Sequence, residues 1–377
     1  MQQPKRGTPD FILLTLTVLL TGFGVLMVFS ASSASASLKY DDALYFTKRQ
    51  LLFAAAGLTA MLVLMNVPFQ KWKKWFVPCF FLVVIMLVFV LFREPIKGAR
   101  SWIQVGPFGV QPSEFAKLGV ILYLAALIHR KGEKIRDFKT GLVPVMIIVG
   151  FTAGLILLQP DYGTAMVLVL TAAITIVAGG ANLKHLFVLG TTFAVSIALT
   201  VWAYTMMTGE EGWGHRMDRF TAYLNPWADP TDTGYHIIQS LYAFGHGGLT
   251  GAGFGQGIQK LHYLPEAHND FIFPIIGEEF GFIGSTLFLL CYLALIWRIL
   301  LAGLRSTDTF GTLVAAGVAG MIAVQAMINI GGVTNTIPLT GVTLPLISYG
   351  GSSLLSTLAA IGIVLSISRE NNRIKQT

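Results

Sequence analysis

Ten stretches of roughly 20 mostly apolar residues run through this chain, and each is long enough to cross a bilayer as a helix. They fall near 11–30, 50–67, 75–92, 112–129, 141–158, 163–179, 185–205, 271–299, 311–333 and 348–368. Hydrocarbon offers no partner for an open backbone, so repeated spans of this kind fold as helices. The 377 residues are 54% hydrophobic and only 12% charged, where a soluble domain is about one quarter charged. The pattern predicts an all-α polytopic membrane protein, with residues 1–377 forming a single integral membrane domain. Cys79 and Cys291 both lie inside apolar runs, which argues against a disulfide framework or a metal-binding cysteine site. The net charge of +7 fits loops held against an anionic leaflet, and no nucleic acid partner is expected.

Two further features organise the chain. Lys5 and Arg6 precede an apolar run, and Ala34-Ser35-Ala36 follows it, as in a secretory signal. The run is too long for a signal core of roughly 7–15 residues, so an uncleaved first span is expected. Residues 206–270 are polar and glycine-rich and hold seven of the nineteen acids. They read as a large loop between the seventh and eighth spans, and long ordered loops are usually functional. With the N-terminus inside, the inner segments carry sixteen Lys and Arg and the outer segments nine. The excess predicts both termini cytoplasmic and the 206–270 loop extracellular.

On that topology the unusual polar residues gather at the outer face. Gly98-Ala99-Arg100-Ser101-Trp102 lies in an outer loop, and Gln111-Pro112-Ser113-Glu114 opens the fourth span. Glu114 and Lys117 are three apart and share a helix face; they suit a substrate site and a structural ion pair equally. Asp161 sits in a tight outer turn, where a helix cap is the simpler reading. Arg216, Arg219, Asp229, Asp232, Tyr235, His236 and Gln239 belong to the large loop. Leu264-Pro265-Glu266-Ala267-His268-Asn269-Asp270 leads into the eighth span, with Asp270 expected to cap it. Ser348-Tyr349-Gly350-Gly351-Ser352 opens the tenth. An ionisable group at such depth costs free energy unless it is paired or used. Glu278 and Glu279 lie one turn inside the eighth span, where structural hydrogen bonding is the expected role. The glycines from Gly247 to Gly257 lack the Lys-Ser/Thr and strand–helix frame of a phosphate loop, so no nucleotide is expected. Trp102 taken alone fits an interfacial aromatic.

Together these motifs resemble the SEDS family (shape, elongation, division and sporulation). The resemblance rests on Gly98-Ala99-Arg100 with Trp102, Gln111-Pro112-Ser113-Glu114 with Lys117, and Gln159-Pro160-Asp161 with Gly163-Thr164. It continues through Arg219, Asn225-Pro226, Asp229, Gly234-Tyr235 and Gln239-Ser240 to Leu264-Pro265-Glu266-Ala267-His268 before Asp270, and to Leu344-Pro345 with Ser348-Tyr349-Gly350-Gly351-Ser352. At Gly24-Val25-Leu26-Met27-Val28 and Pro338-Leu339-Thr340-Gly341 the chain is more similar to the FtsW branch than to the RodA branch. Asn269 stands where relatives often carry Thr.

The resemblance implies a peptidoglycan glycosyltransferase that polymerises lipid II at the outer face of the plasma membrane. It implies a class B penicillin-binding protein as partner, among other division or elongation membrane proteins. An inverting displacement needs a base on the attacking sugar hydroxyl, and Asp270 is the expected catalytic residue. Lys117, Glu114, Arg100, Trp102, Arg216, Arg219, Asp161, His268 and Ser352 are expected to bind the sugar or the pyrophosphate. A divalent cation, Mg²⁺ or Mn²⁺, is the expected cofactor, with Asp270 as an alternative metal ligand. Two other readings compete: a flippase for the same lipid-linked sugar, and a non-catalytic scaffold. The one-sided polar clusters count against the flippase, because a transport path needs ionisable groups at both ends and the midplane.

Overall fold

The structure, a computed structural model, describes residues 7–95, 99–106, 108–192 and 222–374. Among the described residues the main helices are α1 Phe11–Tyr40, α2 Tyr45–Asn66, α3 Trp72–Leu91, α4 Pro112–Lys131, α5 Val143–Leu157, α6 Tyr162–Ala178, α7 Tyr235–Gly247, α8 Ile272–Leu304, α9 Thr309–Val333 and α10 Gly351–Ile374. Eight stretches among the described residues are long and apolar enough to cross a membrane, and α6 is a shorter apolar helix beside them. The seventh expected span begins as a helix over 183–192; residues 193–205 lie outside the described residues.

Burial does not follow apolarity here: α1, α3, α5 and α8 are the more apolar helices and lie outside, as expected when the surroundings are lipid. Helices α4, α9 and α10 are the most buried and form the centre. Around them α2 packs on α10, α3 on α4, and α6 and α8 on α9. The outer helices keep large apolar side chains on the surface, such as Leu19, Phe81, Ile85, Ile147, Phe282 and Trp297. In water such patches would be a liability; against lipid they are the solvated face.

Two departures from the sequence reading bear on the site. The outer segment after α3 contains a small antiparallel hairpin, β1 Ile103–Val105 and β2 Phe108–Val110. Three-residue strands are too short for a period-two pattern to stand out. The described part of 206–270 is also not an open surface loop. Helix α7 buries Ile237, Ile238, Ser240, Ala243 and Gly247, packs along α8, and donates from Ser240 Oγ to the Val333 carbonyl (2.6 Å).

Helix α8 breaks at Gly281, whose φ of 65° and ψ of −167° are not helical. Without further contacts the break would strand the carbonyls of Glu278 and Glu279 and the amides of Phe282 and Ile283. The glycine-rich segment after α7 takes all four. Ala252 N–H donates to Glu278 O (2.9 Å) and Gly253 N–H to Glu279 O (3.0 Å), while Phe282 and Ile283 donate to Gly248 O (2.9 Å) and Leu249 O (3.1 Å). Irregular backbone at such depth requires this kind of internal satisfaction.

Candidate functional site

The candidate site lies where the N-terminal ends of α4, α6, α8 and α10 meet the C-terminal half of α9. Asp270 is placed just before α8. It is not the helix cap: that position is Phe271, which makes no side-chain capping bond, so the capping expected of Asp270 is corrected. Its carboxylate instead faces the segment between α9 and α10. A Cβ added at Gly341 would stand 3.3 Å from Asp270 Oδ2, and Gly341 holds a φ of 72° that favours glycine. A small open cavity is bordered here by Asp270, Ile328, Asn329 and Leu339 to Val342.

Helix α9 brackets this segment from below. Asn329 Nδ2 donates to the carbonyls of Asp270 (2.8 Å) and Val342 (2.7 Å). One turn earlier, Gln325 Nε2 donates to the Thr343 carbonyl (3.1 Å), and Gln325 Oε1 accepts from Lys117 Nζ (2.6 Å). Lys117 also donates to Glu114 Oε1 (2.8 Å). This lysine is only 2% exposed. Two of its three ammonium donors are therefore taken by Glu114 and Gln325.

Asp161 joins the same end of the bundle. Its Oδ1 accepts from Thr164 N (3.0 Å) and caps α6. Its Oδ2 accepts from Gln111 Nε2 (3.0 Å) and Ser113 Oγ (3.4 Å) at the start of α4. Gln111 N in turn donates to Ser352 Oγ (2.9 Å) in the first turn of α10. Asp161, Glu114, Lys117 and Ser352 thus belong to one connected region.

His268 supports the approach to Asp270 by packing. Its ring lies 4.2 Å from that of Phe46 and 5.6 Å from that of Tyr349, and its carbonyl accepts from Tyr349 N (2.8 Å). Burial pushes the Tyr349 phenol up, and a hydrogen bond from Arg49 opposes this. On the far side of Asp270, His236 of α7 stacks on Phe271 (5.4 Å). Arg100 and Trp102 sit at the entry to the hairpin. Arg100 is exposed and donates to the Leu91 carbonyl at the end of α3 (3.5 Å). Trp102 packs over Gly109 of the hairpin, where an added Cβ would lie 2.9 Å from its ring. Neither Lys117 nor Arg100 lines the cavity at Asp270; Lys117 reaches that neighbourhood through Gln325. Arg216 and Arg219 lie outside the described residues.

The known proteins that this chain resembles can now be set beside that geometry. The cell cycle protein family of FtsW, RodA and SpoVE matches residues 11–373. Stage V sporulation protein E of Bacillus subtilis is 47% identical over 372 residues, covering 97% of this chain and 98% of the relative. The chain belongs to the FtsW/RodA/SpoVE family. A probable peptidoglycan glycosyltransferase FtsW of Trichlorobacter lovleyi is 43% identical over 362 residues, covering 95% and 93%. Among solved structures, one describing coordination of polymerization and crosslinking by a peptidoglycan synthase complex superposes with a TM-score of 0.77 at 27% identity, covering 96% and 98%. RodA of Thermus thermophilus superposes with a TM-score of 0.69 at 27% identity, covering 96% and 97%.

For this FtsW/RodA/SpoVE protein the donor set bears on the expected cation. No cluster of three His, Cys, Asp or Glu side chains able to hold a metal occurs among the described residues. Mg²⁺ does not need such a cage. It commonly uses one or two carboxylates and completes its shell with water and substrate phosphates. Asp270 beside a cavity fits that shared mode.

Several residues of the site were not anticipated from the sequence. Gln325 and Asn329 bind both halves of it, and their signal was present: two amides four apart in an otherwise apolar helix. Deeper in α8, both acids are structural. Glu279 Oε1 accepts from Lys260 Nζ and Ser30 Oγ. Glu278 accepts from the Ile258 and Gln259 amides and pairs with His246. Asp229 also has a local role: hydrogen bonds, led by the Thr233 amide, hold its carboxyl below the usual range.

Proposed function

We propose that this chain is a peptidoglycan glycosyltransferase that polymerises lipid II at the outer face of the plasma membrane. Lipid II is a disaccharide-pentapeptide carried on undecaprenyl pyrophosphate. The observation that carries the reading is the Asp270 carboxylate just before α8, on a residue whose backbone carbonyl is bound by the same helix, α9, that binds the buried cation of Lys117. At this depth a sugar can meet the carboxylate while its polyprenyl tail stays in lipid.

The reaction is an inverting displacement. The acceptor hydroxyl gives its proton to Asp270, its oxygen bonds to the anomeric carbon, and the bond to undecaprenyl pyrophosphate breaks. The α-linked donor becomes a β-1,4 glycan. Proton transfer to a placed carboxylate contributes about 10²–10⁴-fold. The departing pyrophosphate needs positive charge where its own charge develops. Lys117 is the preorganised cation; Arg100, Arg216 and Arg219 are the other candidates. When bound, Mg²⁺ or Mn²⁺ supplies charge neutralisation at the pyrophosphate, with Asp270 as its protein oxygen. Base and metal ligand are alternative roles for one carboxylate, and both require it. Asp161 and Ser352 hold the surrounding helix ends, and His268 and Trp102 shape the approach. A class B penicillin-binding protein is the proposed partner, supported by the likeness to a synthase complex that couples polymerization to crosslinking.

The test is polymerisation of lipid II by the purified full chain, with a class B penicillin-binding protein and divalent cation present. Wild type is expected to form glycan strands and Asp270→Asn to form none, at unchanged thermal stability. Strands made by Asp270→Asn would remove Asp270 from the chemistry. No polymer from wild type, with lipid II crossing vesicles instead, would favour a flippase.

A further inference from the structure

We infer that Asn329 is a positioning residue for Asp270, fixing the carboxylate against Gly341 by clamping two backbone segments with one amide. The inference rests on the catalytic reading of Asp270 given above.

The need for the clamp is written in the helix start. In a regular helix the Asp270 carbonyl would accept from the amide four residues on. That residue is Pro274, which has no N–H. The carbonyl next to the reactive carboxylate therefore has no amide of its own helix to accept from. Asn329 Nδ2 fills the gap at 2.8 Å. Its second N–H goes to the Val342 carbonyl at 2.7 Å. Val342 directly follows Gly341, the residue that Asp270 Oδ2 faces. One planar amide thus sets the spacing between the carboxylate's own backbone and the wall opposite it.

The orientation of that amide is determined. Carbonyls only accept, so both contacts require the NH₂ group, and a flipped side chain would lose both. Asn329 Oδ1 is then left buried without a hydrogen-bond partner among the described residues. Both donors of the amide go to the two facing backbone segments, so the contact fixes their separation. Gln325 acts in parallel one turn away, holding Lys117 and the Thr343 carbonyl.

The experiment compares Asn329→Leu, Asn329→Asp and Asp270→Asn in the full chain, with the partner and metal conditions above and lipid II as substrate. A misplacement of about 1 Å costs up to about 100-fold. Asn329→Leu is therefore expected to lower kcat about 10–100-fold, with KM for lipid II within about twofold, because binding groups are untouched. In Asn329→Asp the ionised side chain has no donor for either carbonyl. Protonation restores one, so its kcat relative to wild type rises as pH falls. Wild-type kcat in Asn329→Leu, or a raised KM at unchanged kcat, overturns the inference. Should Asn329→Leu fail to fold, the aspartate variant decides: a pH profile parallel to wild type overturns it. Full activity in Asp270→Asn sinks the role of Asp270 whatever Asn329 does. An inactive Asp270→Asn beside a fully active Asn329→Leu sinks only the inference.

Discussion

Lys117 carries its charge at a point almost closed to water, between Glu114 on its own helix and Gln325 on α9. Such a residue can serve folding, chemistry or both, and single substitutions confuse the two. Lys117→Met leaves Glu114 buried without its counter-charge, a change that typically costs about 3–5 kcal/mol. The double variant Lys117→Met/Glu114→Gln removes that penalty. We expect the single variant to lower the melting temperature in detergent, and the double variant to recover most of it. Lipid II polymerisation should stay at least tenfold down in both, since both lack the cation proposed for the pyrophosphate. Recovered activity in the double variant would make the pair purely structural. The spacing of Glu114 and Lys117 was legible in the sequence, and so was the capping of Asp161. Gln325 stood out as an amide in an apolar helix, but its place beside this pair was not legible. A helical period says which face a residue shares with its own neighbours, but not which residue of another helix it meets.

At the scale of elements, the sequence located the apolar helices and missed what interrupts one of them. Helix α8 reads as one apolar run, and nothing in its periodicity marks Gly281 as a break. The partner of the break is the glycine-rich segment, which reads from sequence as a turning loop and proves to be its backbone complement. An added Cβ at Gly281 would fall 2.3 Å from the Gly251 nitrogen, at a φ of 65°. The φ/ψ region it occupies is essentially restricted to glycine, and strain of this kind costs about 1–3 kcal/mol before any clash. Gly281→Ala should therefore destabilise the protein and expose the amides of Ala252 and Gly253 to faster hydrogen exchange. Gly22→Ala, in α1 with open space around it, serves as the control and should be neutral or slightly stabilising. Equal behaviour of the two variants would mean that the kink is not held by this contact. Because the first half of α8 starts beside Asp270, the same measurement tests whether the glycine-rich segment fixes the height of the site.

Across the whole molecule, the two ends of the bundle are built from different chemistry. One end holds Asp270, Asp161, Glu114 and Lys117 in hydrogen bonds that converge on α9 and α4. The opposite end is closed by ion pairs between helix termini: Lys73 with Asp308 (2.5 Å), and Arg298 with Asp10. There residues 7–10 meet the end of α10. Arg369 Nε donates to the Gly7 carbonyl (2.9 Å), Asn372 Nδ2 to the Thr8 carbonyl (2.8 Å), and Asp10 N to Ser368 Oγ (3.0 Å). Residues 7–10 and the end of α10 therefore share one side of the membrane, as the Lys and Arg bias required. From that bias we propose that this is the cytoplasmic side, with the carboxylate end facing outward. Single cysteines placed in a variant lacking Cys79 and Cys291 test the assignment. A cysteine at the exposed Asp232 should react with a membrane-impermeant maleimide in intact spheroplasts. One at the exposed Glu133, just past α4, should react only after lysis. The reverse pattern would put Asp270 on the cytoplasmic face. Polymerisation at the outer surface would then be impossible for this site, however well its residues suit the chemistry.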